Sequence, residues 1–231
     1  MVITYYGAAC FKVQSGETVM AFNPPSKESE YKSPRFASDI VLVSSNHKDY
    51  NGWENLAYRQ AGLPGKTEGP AASSEQAGRA SAKPFVADGR GEYEISGIYI
   101  KGIGSNGRDN TVYTLTLEDI SICHLGALSK EMDPSLKEAV GEVDILFIPI
   151  GGGELLDPQK AAGAAIHLGA KIVIPMNYNE SQLKQFIKEF GAGEVTAADK
   201  LTIKKKDLAE MISMNCETLL FATPYGARRR E

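Results

Sequence analysis

Histidine and cysteine are both scarce in this chain, three of each in 231 residues. Cys10, Cys123 and Cys216 are odd in number and scattered, each in an apolar, strand-like context. That excludes a disulfide framework and reads as reduced core residues. No apolar run approaches the ~20 residues that span a membrane, and no charged-then-apolar leader opens the chain. A soluble, cytoplasmic protein is expected. Excess positive charge is missing too, since 25 Lys and Arg stand against 29 Asp and Glu, a formal net charge of −4. The only basic runs, Lys204 to Lys206 and Arg228 to Arg230, read as solvated surface, so a nucleic-acid partner is not expected. What is present is ordinary: 42% hydrophobic and 23% charged residues, in a chain long enough to bury a substantial core.

The first half reads as strands. Met1 to Tyr6, Cys10 to Gln14 and Thr18 to Phe22 alternate in polarity, with Ser15-Gly16 supplying a hairpin turn. Asn23-Pro24-Pro25 ends the third, because proline cannot donate to a ladder. Asp39 to Ser44 is a buried β-branched strand, and a short helix is expected over Trp53 to Gln60. Pro84 to Ala87, Gly91 to Ile95, Ile98 to Ile103, Val112 to Leu117 and Ser121 to Leu125 are five short strands spaced as a meander.

The second half alternates strand and helix. Asp133-Pro134 opens a helix over Ser135 to Val140, and Asp144 to Ile150 is a continuous apolar strand. Asp157 and Pro158 cap the next helix, whose apolar face is Ala161, Ala162, Ala165 and Ile166. Lys171 to Pro175 is a strand, Ser181 is read as the cap of a helix through Phe190, and Gly191 stops it. Strands and an edge ribbon over Glu194 to Ala222 finish the chain. Two mixed β-sheets stacked face to face with helices outside, an αββα sandwich of the α/β (α+β) class, is the economical architecture. A single domain over residues 1–231 follows, because strands resume on both sides of the one segment without large apolar residues, Ala61 to Lys83. That segment buries too little to offset its ordering entropy and is read as a flexible insertion.

Several motifs imitate nucleotide sites. Gly102, Gly104 and Gly107 spell G-x-G-x-x-G, but Val112 to Leu117 reads as a strand where the fingerprint needs a helix. Gly65-Lys66-Thr67 lacks the glycine five residues before the lysine. Gly151-Gly152-Gly153 suits a sharp strand-to-helix turn better than an anion site.

The most informative stretch is Ile40 to Gly52, a buried strand ending in Ser44, Ser45, Asn46, His47, Asp49 and Tyr50. Together with Tyr5-Tyr6-Gly7, Phe22-Asn23-Pro24, Asn110-Thr111-Val112-Tyr113, Cys123-His124-Leu125-Gly126-Ala127, Asp144 to Gly153 and Pro175-Met176-Asn177, it resembles the metallo-β-lactamase fold. The broad group is the one that includes ascorbate-phosphate lactonase-like and other metal-dependent hydrolases. In that family one zinc takes both histidines of H-x-H and a later loop histidine. The resemblance places these at Ser45, His47 and near Ser105-Asn106. The second zinc takes an Asp and His of the same motif, an Asp after H-x-G and a His after Pro-Met, here Asp49, Tyr50, Ala127 and Asn177. Asn23 stands where a supporting Asp is usual.

Only His47 and Asp49 keep ligating side chains, and a zinc site needs three or four. No metal is therefore expected, the alternative being a single weakly held Zn, Mn or Fe on His47 and Asp49. His124 reads as a packed residue behind the site, and His167 as a helix-surface residue. Ser45, Asn46, Asn106 and Asn177 would keep the pocket polar. Two functions follow: a non-catalytic, ligand-binding homologue, or a hydrolase of a small ester, lactone or phosphoester using His47 and Asp49, with Ser45 as nucleophile. The ligand, a protein partner and a homo-oligomer are left open by the sequence. Limited proteolysis is expected to cut first within Ala61 to Lys83, and deleting that segment should leave the fold intact; first cleavage inside Asp144 to Ile150 would break the single-domain plan.

Overall fold

Strict alternation in the early strands is what creates an interior. The computed structural model describes residues 1–57, 59–60, 81–105, 109–191, 195–197, 200–208 and 219–222. β1 (Val2–Gly7), β2 (Cys10–Ser15) and β3 (Thr18–Phe22) form an antiparallel meander, and β4 (Ile40–Leu42) joins β3 in parallel. β5 (Arg59–Gln60) and β6 (Ser81–Ala82) pair as a separate ribbon. They bracket residues 61–80, the centre of the expected insertion, which lie outside the described residues together with Gly65-Lys66-Thr67 and Cys216. β7 (Phe85–Ala87) returns to β4 in parallel.

The meander continues in a second sheet with β8 (Gly91–Ile95), β9 (Ile98–Gly104), β10 (Thr111–Leu117) and β11 (Ile120–His124). α1 (Pro134–Val140), β12 (Ile145–Pro149), α2 (Pro158–Leu168), β13 (Ile172–Met176) and α3 (Glu180–Phe190) follow. β14 (Val195–Ala197), β15 (Lys200–Thr202) and β16 (Leu219–Ala222) complete the order. One sheet is ordered β15-β1-β2-β3-β4-β7 and the other β14-β16-β13-β12-β11-β10-β9-β8. Both are mixed.

Side-chain parity then assigns each residue a layer. Ile145 and Phe147 of β12 face the space between the sheets, where Ile3, Phe11, Phe22, Leu42, Ile122 and Ile174 meet them. Leu146 and Ile148 face outward and pack under the alanines of α2 and under Phe186 of α3. The outer face of the six-stranded sheet, Val19, Ala21, Val41 and Val43, is covered by Phe36, Leu56 and Trp53. Segment 24–38 and a one-turn 3-10 helix, Trp53–Asn55, supply that layer. Among the described residues, no helix is long and apolar enough to cross a membrane.

Four expectations change. The helix expected to reach Gln60 stops at Asn55, because Ala57 is drawn into a bridge with Ala37 and Leu56 into the outer core. Of the five-strand meander, β7 belongs to the other sheet. The third helix is capped by Asn179 instead of Ser181: the Asn179 side chain accepts from Gln182 N–H while Gln182 bonds back to the Asn179 N–H, the reciprocal box that a hydroxyl two residues later cannot make. The ribbon expected over Glu194 to Ala222 is split, with β15 on one sheet and β14 and β16 on the other. Asp133 and Asp157 cap α1 and α2 as read.

Phe147 is fully buried, with ring centroids 4.5 Å from Phe11 and 5.9 Å from Phe22. Phe147→Ala is expected to cost about 3–5 kcal/mol of stability by equilibrium denaturation; a loss below about 1 kcal/mol would mean that the sheets do not close on this ring.

Candidate functional site

The candidate residues sit on loops at one end of the sandwich, where four strands finish. β4 runs out into Val43 and Ser44, both buried, and then into a turn whose residues Asn46, His47 and Lys48 are exposed. His47 N–H donates to the Ser45 carbonyl at 2.8 Å, and the His47 carbonyl accepts from Tyr50 and Asn51 at 2.9 Å. Gly52 closes the turn against Pro24, its N–H on the Pro24 carbonyl at 2.7 Å. A Cβ at Gly52 would overlap the Pro25 backbone, so only glycine allows this approach.

His47 and Asp49 are brought together, though not as a catalytic pair. Nδ1 of His47 lies 3.7 Å from Asp49 Oδ2, too far for a hydrogen bond. The Asp49 backbone N–H donates to that Nδ1 at 3.3 Å. A neutral imidazole that accepts at Nδ1 carries its proton on Nε2, so His47 presents a donor to solvent. Asp49 Oδ1 accepts a 2.6 Å hydrogen bond from the buried Ser29 hydroxyl. Ser45 Oγ makes no hydrogen bond to His47 among the described residues, so Ser45, His47 and Asp49 do not form a relay.

Around them the polar groups satisfy one another. Asn23, buried at φ 44°, donates to Ser44 Oγ at 2.9 Å and accepts from Ser44 N–H at 2.8 Å. Its partner is thus Ser44, one residue before Ser45. Asn110 donates to Ser105 Oγ at 3.0 Å and to the Leu125 carbonyl at 3.1 Å, and accepts from Ala127 N–H at 2.6 Å. Gly126, at φ 62°, fits so closely that a Cβ would overlap Asn110 Oδ1 and Ser44. Asn51 bonds Asn46 at 2.9 Å. Asn177, at φ 57°, donates to the Tyr50 hydroxyl at 3.3 Å, and its Oδ1 is buried with no partner among the described residues. Asn106 lies outside the described residues.

His124 is a core residue. Its ring lies 5.2 Å from Phe22 and 5.4 Å from Phe147, and Nδ1 accepts from Gly126 N–H at 3.1 Å. Nε2 has no partner of hydrogen-bond geometry among the described residues. Burial pulls its pKa down to about 3, opposed by the Ala9 backbone and its own. His167 is exposed on α2, its Nδ1 2.8 Å from the Gly163 carbonyl. Sequence reasoning missed Ser29, Ser44 and the role of Asn110 as a tie. Ser29 carries no local signal at all, since its partner lies twenty positions on.

Residues 2–177 match the model of the beta-lactamase superfamily domain, and the chain belongs to that superfamily. Curated relatives are named UPF0173 metal-dependent hydrolases. The one from Listeria monocytogenes serotype 4a is 26% identical over 195 residues, covering 78% of this chain and 86% of that protein. The one from Methanoculleus marisnigri is 25% identical over 198 residues, covering 82% and 87%. Among solved structures, a hydrolase from Thermotoga maritima assigned to the Zn-dependent members of the metallo-beta-lactamase superfamily superposes with a TM-score of 0.69 at 24% identity, covering 96% of this chain and 99% of that one. That likeness shows the fold.

The family implies a metal, and the donor set here does not fit a binuclear one. Among the described residues no group of three or more His, Cys, Asp or Glu is placed to hold an ion. All three histidines of the chain are described, and only His47 is at the mouth.

The depressed pKa of His124 has a signed consequence. The unfolded chain takes up a proton near pH 6.5 that the folded chain refuses until about pH 3. Its contribution is therefore complete above pH 6.5 and is lost as pH falls toward 3, at about 1.4 kcal/mol per unit. Denaturation from pH 7 to 4 should show a shallower fall for His124→Phe than for the unaltered protein; parallel curves would remove His124 as the acid-sensitive group.

Proposed function

We propose that this chain is a ligand-binding, non-catalytic member of its superfamily that does not assemble a binuclear zinc site. The observation that carries this is the pairing of Tyr50 with Asn177 at 3.3 Å. Both stand where the resemblance puts histidine ligands, and they bond each other. Ala127 brings a methyl group to the bridging position, and its backbone N–H is taken by Asn110. His47 and Asp49 are then one imidazole and one carboxylate, short of the three or four ligands that lower the pKa of a bound water.

A second reading has one observation in its favour. The Ser29 hydroxyl fixes Asp49 Oδ1 and leaves Oδ2 facing His47, the kind of outer support a ligating or basic carboxylate receives. A hydrolase acting on a small ester, lactone or phosphoester through His47 and Asp49, with or without a single Zn, Mn or Fe, would use that geometry.

Metal analysis of protein purified without chelator separates the two. Well under one ion of Zn, Mn or Fe per chain is expected, with a melting temperature unchanged by EDTA, since no bound ion contributes linkage energy. A near-stoichiometric ion would overturn the first reading. Turnover of a lactone, ester or phosphodiester that disappears in His47→Ala would establish the second.

A further inference from the structure

Metal-binding mouths collect electron-pair donors, whereas this one displays hydrogen-bond donors. Among the described residues, Ser45 Oγ, Asn46 Nδ2, Lys48 Nζ and the His47 Nε2–H left by the Asp49 contact make no hydrogen bond or ion pair. The backbone N–H groups of Ser45, Asn46 and Lys48 likewise find no acceptor there. The single carboxylate of the loop, Asp49, is turned toward Ser29.

A guanidinium flanks the same mouth. Arg90 lies over Gly104, where a Cβ would overlap its Nε and Cζ. Gly104 is opposite Thr111 in the β9–β10 ladder, and Thr111 N–H donates to the Ser44 carbonyl at 2.7 Å. Arg90 is therefore seated on the strand pair that touches the residue before Ser45. It has no ion pair among the described residues.

From this donor-rich, acceptor-poor surface we infer that the turn 45–48 together with Arg90 is an oxyanion site, taking the phosphate or carboxylate group of a small ligand. Clustered N–H groups, a lysine and a guanidinium are complementary to such oxygens. The inference deepens the ligand-binding reading and rests on it, because a metal pair would supply the positive charge instead.

The test uses full-length protein treated with EDTA and then freed of chelator, titrated calorimetrically with inorganic phosphate in one arm and acetate in the other. Saturable binding of at least one is expected, weakened about tenfold or more by Lys48→Glu with Arg90→Glu, equivalent to about 1.4 kcal/mol, and weakened by added salt. The arm that binds identifies the oxyanion. No saturable binding in either arm with metal-free protein, or binding that the charge reversals leave unchanged, overturns this inference alone. Binding that appears only in protein retaining a stoichiometric ion overturns both it and the reading beneath it.

Discussion

The two sheets meet through one hydrogen bond beside the candidate site, from Thr111 N–H to the Ser44 carbonyl at 2.7 Å. It joins the end of β4 in one sheet to the start of β10 in the other. Every other feature of the mouth is registered to it. Asn23 grips Ser44 from β3, Gly126 comes within contact of Ser44 from β11, and Asn110, next to Thr111, ties Ser105 to Ala127. Buried polar groups satisfied this fully hold a single arrangement, because any loosening leaves several donors without acceptors at once. The loops are thus fixed by amides and hydroxyls.

His124 shows how the same end is supported from below. Its Nδ1 holds the Gly126 turn, and its ring fills the space among Phe11, Phe22 and Phe147. The aromatic floor and the polar mouth are consecutive layers of one structure, and the resemblance to a metal-dependent family is carried by both.

Local chemistry was legible in the sequence and long-range partnership was not. Asp133-Pro134 and Asp157-Pro158 announce helix starts because the cap and its N–H lie three residues apart. β10 after Gly102-Ile103-Gly104 was readable from β-branched alternation, which removed the dinucleotide reading. Which sheet takes β7 depends on β4, some forty-five residues earlier, and no periodicity encodes that choice. At the site, His47 and Asp49 stood out by type and spacing. Ser44 did not, because whether a loop serine points inward depends on Asn23, and Ser29 is recognisable only once its segment has folded over Asp49.

The pairing of β1 with β15, Val2 opposite Thr202 and Thr4 opposite Lys200, also bears on how the molecule is made. Loop closure over so long a separation is slow, and such contacts form late. During synthesis at about 5–20 residues per second, β1 therefore waits some ten seconds or more with one edge bare. A nascent-chain intermediate with an open sheet margin is built into this connectivity, and it is the form that a chaperone would meet.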